Sequence, residues 1–362
     1  MPELQSIRGI AALLVLLGHC CSYYATPDWF HTAEIGAANG EASVVIFFVL
    51  SGYVLMNMLA RGEISAGSTM EYFVRRGFRI YPALWAASLF ALAYVLFLHW
   101  QIPVPGTSFW FANVCFKRAH FTAIGIIASF AGALAFLIPP VWSIFVELMG
   151  SALLPVLNLC AKRGGVLFGV VGLALFAISF WVGPATYYSV GTYLLDFWLG
   201  AALFLVVMRD NKLLTPAPVV RIVATAVALL VIVCGQYLGQ SGSDPGVTLA
   251  YALAAMVLIT GCVKAWSGFG VLKRTWLVTL GDWSYSLYLL HFTVMCCTAK
   301  VMQLAGASAL DSVWRSLLLG LLTLLITIPL SALSYRFVEL QGIALGNRVA
   351  AAVGLRRAQA AA

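Results

Sequence analysis

A chain of 362 residues with 62% hydrophobic and only 9% charged side chains cannot build the surface of a soluble domain, which carries roughly a quarter charged residues. Its mean hydropathy of +0.96, with apolar stretches of about 20 residues recurring from end to end, is that of a bundle of bilayer-spanning helices. The net charge of +8 needs no nucleic-acid partner, because loops that set membrane orientation account for most of it.

In chain order, spanning helices are expected near 9–24, 42–60, 80–99, 141–160, 165–183, 189–208, 222–240, 247–263, 277–299 and 314–335. The alternating pattern of membrane strands is absent. The first stretch follows Arg8 and resembles a secretory signal, but no small-x-small cleavage site follows it, so it is read as a retained helix. The fold expected is an all-α integral membrane protein of about ten transmembrane helices. Residues 1–340 form one membrane domain, and the alanine-rich 341–362 form a short cytoplasmic tail.

The stretch 122–138 is also long enough to cross, and charge decides its reading. If it stays on the outer side, Arg8, Arg61, Arg75, Arg76, Arg79, Lys162, Arg163, Arg209, Lys212, Arg221, Lys264, Lys273, Arg274, Arg336, Arg348, Arg356 and Arg357 all lie inside. That is 17 of the 21 lysines and arginines, leaving Lys117, Arg118, Lys300 and Arg315 outside. If it crosses, 7 lie inside and 14 outside. The positive-inside rule favours the first arrangement. Both termini are then cytoplasmic, and 122–138 is a re-entrant or outer-surface segment covered by protein. Of the eight cysteines, only Cys115 falls clearly in a loop, and without a Cys-x-x-Cys the set reads as small apolar packing residues, not a disulfide or metal framework.

Ionisable groups inside a bilayer are costly and mark function. His19, Glu147, Asp282 and His291 are the four that stand out. Arg8 and His19 are eleven residues apart, which on a helix returns to within about 20° of the same face after a rise of about 16 Å. One helix face thus carries a cation at the cytoplasmic surface and an imidazole near mid-membrane. For Arg8 alone, a topology anchor explains the position equally well. Glu147, in Trp142-Ser143-Ile144-Phe145-Val146-Glu147, must be paired, hydrogen-bonded or protonated at its depth. Ser51-Gly52 reads first as a packing notch. Arg75, Arg76 and Arg79, read as a cytoplasmic loop ahead of Pro82, place three guanidiniums within five residues. Such forks suit phosphate oxygens, although lipid head groups offer the same chemistry.

Together these pieces resemble the membrane acyltransferase type 3 family. They are Arg8-x10-His19; Phe47-Phe48-Val49-Leu50-Ser51-Gly52; Arg75-Arg76-x-x-Arg79-Ile80-x-Pro82; Trp142-Ser143 with Glu147; and Leu280-Gly281-x-x-Ser284-Tyr285-Ser286-Leu287-Tyr288-Leu289-Leu290-His291. Each is weak alone, and five in family order over residues 6 to 291 are specific. The chain departs from the family where the last helix often ends Glu-Arg-Pro and here reads Glu339-Leu340-Gln341. Many relatives carry a fused extracytoplasmic hydrolase-like domain, which this chain is expected to lack.

The resemblance implies an O-acyltransferase of the bacterial inner membrane. It would use cytoplasmic acyl-CoA, foremost acetyl-CoA, as donor and a hydroxyl of a cell-surface or exported glycan, or of a lipid-linked saccharide, as acceptor, with no metal. His19 and Glu147 are the catalytic candidates, the first because imidazole titrates near neutrality. Arg8, Arg75, Arg76 and Arg79 are donor-binding candidates. Ser51, Trp142, Ser143, Tyr285 and His291 are candidate cavity-lining residues. Glu147 would orient His19 or hold the acceptor, and a covalent acyl-histidine stays open. The rival reading is a multi-helix transporter of a glycan or other polar solute, because midplane polar residues also line substrate pathways. Acyl-CoA dependence separates the two.

Overall fold

The computed structural model describes residues 1–62, 65–208, 214–237 and 244–360. Its helices run in the order α1 (Pro2–Cys21), α2 (Asp28–Ala37), α3 (Gly40–Ala60), α4 (Ala66–Tyr94), α5 (Phe109–Val114) and α6 (Ala123–Phe130). They continue as α7 (Trp142–Arg163), α8 (Gly165–Trp181), α9 (Val190–Met208), α10 (Pro218–Cys234) and α11 (Pro245–Val263). The last are α12 (Thr275–Asp282), α13 (Ser284–Leu304), α14 (Ser312–Ser334) and α15 (Leu340–Ala360). No strand occurs among the described residues, only an isolated bridge from Tyr24 to Thr107. Nine helices among those residues are long and apolar enough to cross a membrane. The 17-residue α8 is a shorter apolar helix, about 26 Å long and at the lower end of what a bilayer core requires. The chain is an all-α multi-pass membrane protein.

Four boundaries differ from the sequence reading, each for a local reason. The first helix starts at Pro2, so Arg8 lies within it. The third expected span begins at Ala66, not residue 80, and the arginine stretch expected as a loop is helical. Ser65 accepts a bond from the Ser68 N–H at 3.0 Å and Ser68 Oγ accepts one from the Ser65 N–H at 3.0 Å. This reciprocal cap nucleates a polar turn that hydropathy does not register. The expected 277–299 helix is two, broken at Trp283. Finally, α14 passes through a π-helical turn, Tyr335–Glu339, directly into α15, so the segment expected as a tail is helical to Ala360. Arg209 and Lys212, counted above in the charge partition, lie outside the described residues.

The 122–138 stretch does not form a spanning helix. Its only α-helix, α6, has eight residues, about 12 Å. Its end folds back onto α4, where Trp85 Nε1 donates to the Phe130 carbonyl at 3.1 Å and the Tyr81 hydroxyl donates to the Ala131 carbonyl at 3.3 Å. Carbonyls freed at the end of a short helix thus receive side-chain donors, as non-helical backbone at membrane depth demands.

The chain divides into two compact units. The first comprises 1–15, 35–62 and 146–282. There α3 lies directly on α9: a Cβ at Gly52 would collide with the Phe197 carbonyl, and one at Gly200 with the Val49 carbonyl. Small residues that bring backbones together are a membrane packing device, and this is what Ser51-Gly52 does here. Gly9 meets Gly281 in the same way, so a Cβ on Gly9 would lie 2.7 Å from the Gly281 nitrogen. Buried Asn39 caps α3, accepting from the Ala42 N–H at 3.0 Å while donating to the Ile232 carbonyl at 2.7 Å and the Tyr251 hydroxyl at 2.9 Å. The second unit comprises 16–34, 63–145 and 283–362. Its buried Lys300 donates to the carbonyls of His99, at 3.1 Å, and Ile102, where the chain leaves the α4 region. This partner set satisfies an ammonium that would otherwise be costly at such a depth.

Candidate active site

The second unit brings together two histidines that are 272 residues apart in the chain. His19 occupies the last turn of α1 and is half-buried, while His291 lies in the second turn of α13 and is fully buried. His291 Nε2 is 3.4 Å from His19 Nδ1, and the rings are 5.1 Å apart, centre to centre. On its other side, His291 Nδ1 is 2.6 Å from the Tyr288 carbonyl. A carbonyl only accepts, so Nδ1 of His291 carries the proton, and in the neutral ring Nε2 is then an acceptor. It receives the Nδ1–H of His19, which leaves the lone pair of His19 on Nε2. This tautomer is assigned from the bonding partners. Phe292 stands edge-on to His19 at 5.5 Å and 85°, and Trp110 lies 6.1 Å away.

One turn before His291, Tyr288 is pinned to the start of α7. Its hydroxyl donates to the Pro140 carbonyl at 2.9 Å and lies 2.6 Å from Ser143 Oγ. Ser143 also reaches the Pro140 carbonyl, at 3.0 Å. Thus Ser143, expected as a cavity-lining residue, is buried and bonded to the helix that carries His291. Trp142, beside it, is half-buried at the first position of α7. Tyr285 donates to the Ile80 carbonyl at 2.8 Å, so it is placed beside the arginine stretch of α4.

Glu339, where the sequence departs from the family's Glu-Arg-Pro ending, is a principal anchor of α13. It is buried and accepts from the backbone N–H of Ser286 at 2.9 Å and from the Ser286 hydroxyl, which also lies 2.7 Å from Ser334 Oγ. A carboxylate on the first-turn N–H groups of a helix satisfies orphan donors and complements the helix dipole. The signal was an acidic residue at the end of an apolar span. Lys300, and Asp196 buried in α9, carry the same signal of an ionisable group within a span.

Arg75, Arg76 and Arg79 lie on α4, within an arc of about 100°. Arg75 is exposed and pairs with Glu71 at 3.4 Å, one turn earlier. Arg8, Ser51 and Glu147 belong to the first unit. There Arg8 donates to Gln5 Oε1 at 3.3 Å, Ser51 adjoins the Gly52 notch, and Glu147 is half-buried on α7, one turn after Ser143.

Comparison with known proteins gives this constellation a family. The chain aligns with the peptidoglycan O-acetyltransferase OatA of Listeria monocytogenes serovar 1/2a (strain ATCC BAA-679 / EGD-e), 26% identical over 375 residues that cover 94% of this chain. The chain spans 55% of that relative's length. The acyltransferase MdmB of Streptomyces mycarofaciens is 25% identical over 332 residues, covering 82% of this chain and 79% of the relative. No solved structure matches. The family model described as the acyltransferase domain matches residues 1–335, and the chain therefore belongs to the type 3 acyltransferase family.

Proposed function

We propose that this protein is a membrane O-acyltransferase that moves an acyl group, foremost acetyl, from cytoplasmic acyl-CoA to a hydroxyl of a cell-surface or exported glycan. The observation that carries this reading is the histidine pair. An imidazole whose Nδ1–H is fixed by a second, buried imidazole presents a basic Nε2 in a set direction, which is the geometry a general base requires. In the proposed step, His19 Nε2 takes the proton of the acceptor hydroxyl as its oxygen attacks the thioester carbon. The C–S bond then breaks, and the sulfur leaves as the CoA thiol once the imidazolium returns the proton. The Nδ1 partner supports His291 as the group that orients His19; Glu147 keeps its assignment as a catalytic residue on the family resemblance alone.

Arg8, Arg75, Arg76 and Arg79 are assigned to the CoA phosphates, with both termini on the cytoplasmic side and the bacterial inner membrane as location. The 17-to-4 partition of charge supports that orientation. Membership of an acyltransferase family favours transfer over transport, and the name of the Listeria relative supports a glycan acceptor. The deciding experiment compares ester content and mass of surface glycan with and without the gene, and then transfer from labelled acetyl-CoA by purified protein. Loss of ester and thioester-dependent transfer support the reading; solute movement without thioester consumption points to the transporter. Rapid acid quench with labelled donor decides between base and nucleophile, since an acyl-histidine that forms and decays at the turnover rate contradicts general-base catalysis.

A further inference from the structure

Trp110 has a setting unlike that of its aromatic neighbours. Tyr23 and Phe111, 4.3 Å apart, are buried, as is Phe116. The Trp110 ring reaches His19 at 6.1 Å and Phe292 at 6.3 Å, yet the residue is 39% exposed. Its position does not depend on its own side chain. The loop before it is stapled to the segment that follows α1 by backbone bonds, Ala25 N–H to the Gly106 carbonyl and Ser108 N–H to the Tyr23 carbonyl, both 2.9 Å. Ser108 Oγ then caps α5 by accepting from the Phe111 N–H at 3.3 Å, and the Arg315 guanidinium covers the Tyr24 ring at 4.5 Å. The scaffold thus holds a half-open indole against the imidazole to which base chemistry is assigned.

We propose that Trp110 is the acceptor platform, and that its indole face receives the apolar face of a pyranose ring whose hydroxyl is presented to His19. This rests on the acyl-transfer reading of His19. A pyranose carries several C–H bonds on one face, weakly positive and poorly hydrated, that match the negative face of an aromatic quadrupole. Tryptophan offers the widest such face at a low entropic cost of ordering. An acetyl group is too small to use that area.

The test uses the full chain in lipid nanodiscs, which carry no sugar detergent. The probes are a tetramer of β-1,4-linked N-acetylglucosamine and, as an acceptor without a ring, glycerol. Trp110→Ala should weaken tetramer binding about tenfold, the scale of a lost aromatic stack, and raise its KM by the same factor. Transfer to glycerol should fall less than transfer to the tetramer, while the affinity for acetyl-CoA and membrane abundance should stay within about twofold. Trp110→Phe should restore most of the affinity, and His19→Ala should bind the tetramer normally.

Equal tetramer binding by wild type and Trp110→Ala overturns the proposal, as does a wild type that binds no tetramer. A loss confined to acetyl-CoA affinity would make the ring a donor-chain contact. A loss of inserted protein alone would make it an interfacial anchor of the kind tryptophan commonly forms. Either result overturns it too. If His19→Ala still transfers while Trp110→Ala binds sugar poorly, the acyl-transfer role of His19 falls and the sugar platform stands.

Discussion

Nδ1 of His19 faces Nε2 of His291 at 3.4 Å, and His291 in turn presents its Nδ1 to the Tyr288 carbonyl 2.6 Å away. The carbonyl at the end of the chain sets the direction of the two protons, and on the proposed base role of His19 it is His291 that positions the imidazole. His291→Ala should therefore lower kcat by about 10²-fold, the scale of a misplaced catalytic group, with acyl-CoA affinity unchanged. His291→Gln, which keeps an acceptor, should recover part of that loss. A drop in donor affinity with intact kcat would place His291 on the donor instead.

Glu339 holds the first turn of α13 through the Ser286 N–H and hydroxyl. Removing a buried partner exposes its donors to the full cost of going unsatisfied, so Glu339→Ala should destabilise the protein by about 1–3 kcal/mol. Glu339→Gln retains one acceptor oxygen and should cost less. Thermal unfolding in nanodiscs reads both, and an alanine variant as stable as wild type would remove Glu339 from this role.

Spans are local properties of apolar length, so most were legible, as were Arg8 and His19 on one helix. That His291 partners His19, or Glu339 partners Ser286, is tertiary, and no periodicity encodes a pairing across 272 or 53 residues. The polar first turns of α4 were missed because a serine cap and amphipathic residues leave no hydropathy signal. Trp110 has no distinguishing pattern in the sequence, one aromatic among many between spans, until the segment before α5 is bonded to the residues that follow α1.

The arginines of α4 are assigned to donor binding. Each charge-assisted hydrogen bond lost should contribute roughly 1.5–3 kcal/mol when sheltered and less where water screens it. Replacing Arg75, Arg76 and Arg79 together with alanine should weaken CoA binding, with much of the rate returning at saturating donor, whereas Glu147→Gln should stay slow. Arg75→Ala should have the smallest effect of the single variants, because Arg75 is exposed and already paired with Glu71. Equal dissociation constants by direct titration of CoA would sink the phosphate assignment and leave Arg8 as the inner-mouth candidate.

Orientation is open to a separate check. Reporter fusions after Lys162 and after Arg348 should both report the cytoplasm, because 122–138 forms no spanning helix and folds back on α4. An external signal at either site would invert the proposed arrangement.

Whether His19 takes the proton from the acceptor is decided by transfer by purified His19→Ala protein. Abundance, thermal stability and acyl-CoA affinity should match those of wild type, with transfer lowered by at least about 10²-fold, the usual contribution of a positioned base. Substantial residual transfer by folded, donor-binding His19→Ala protein would contradict the base role of His19.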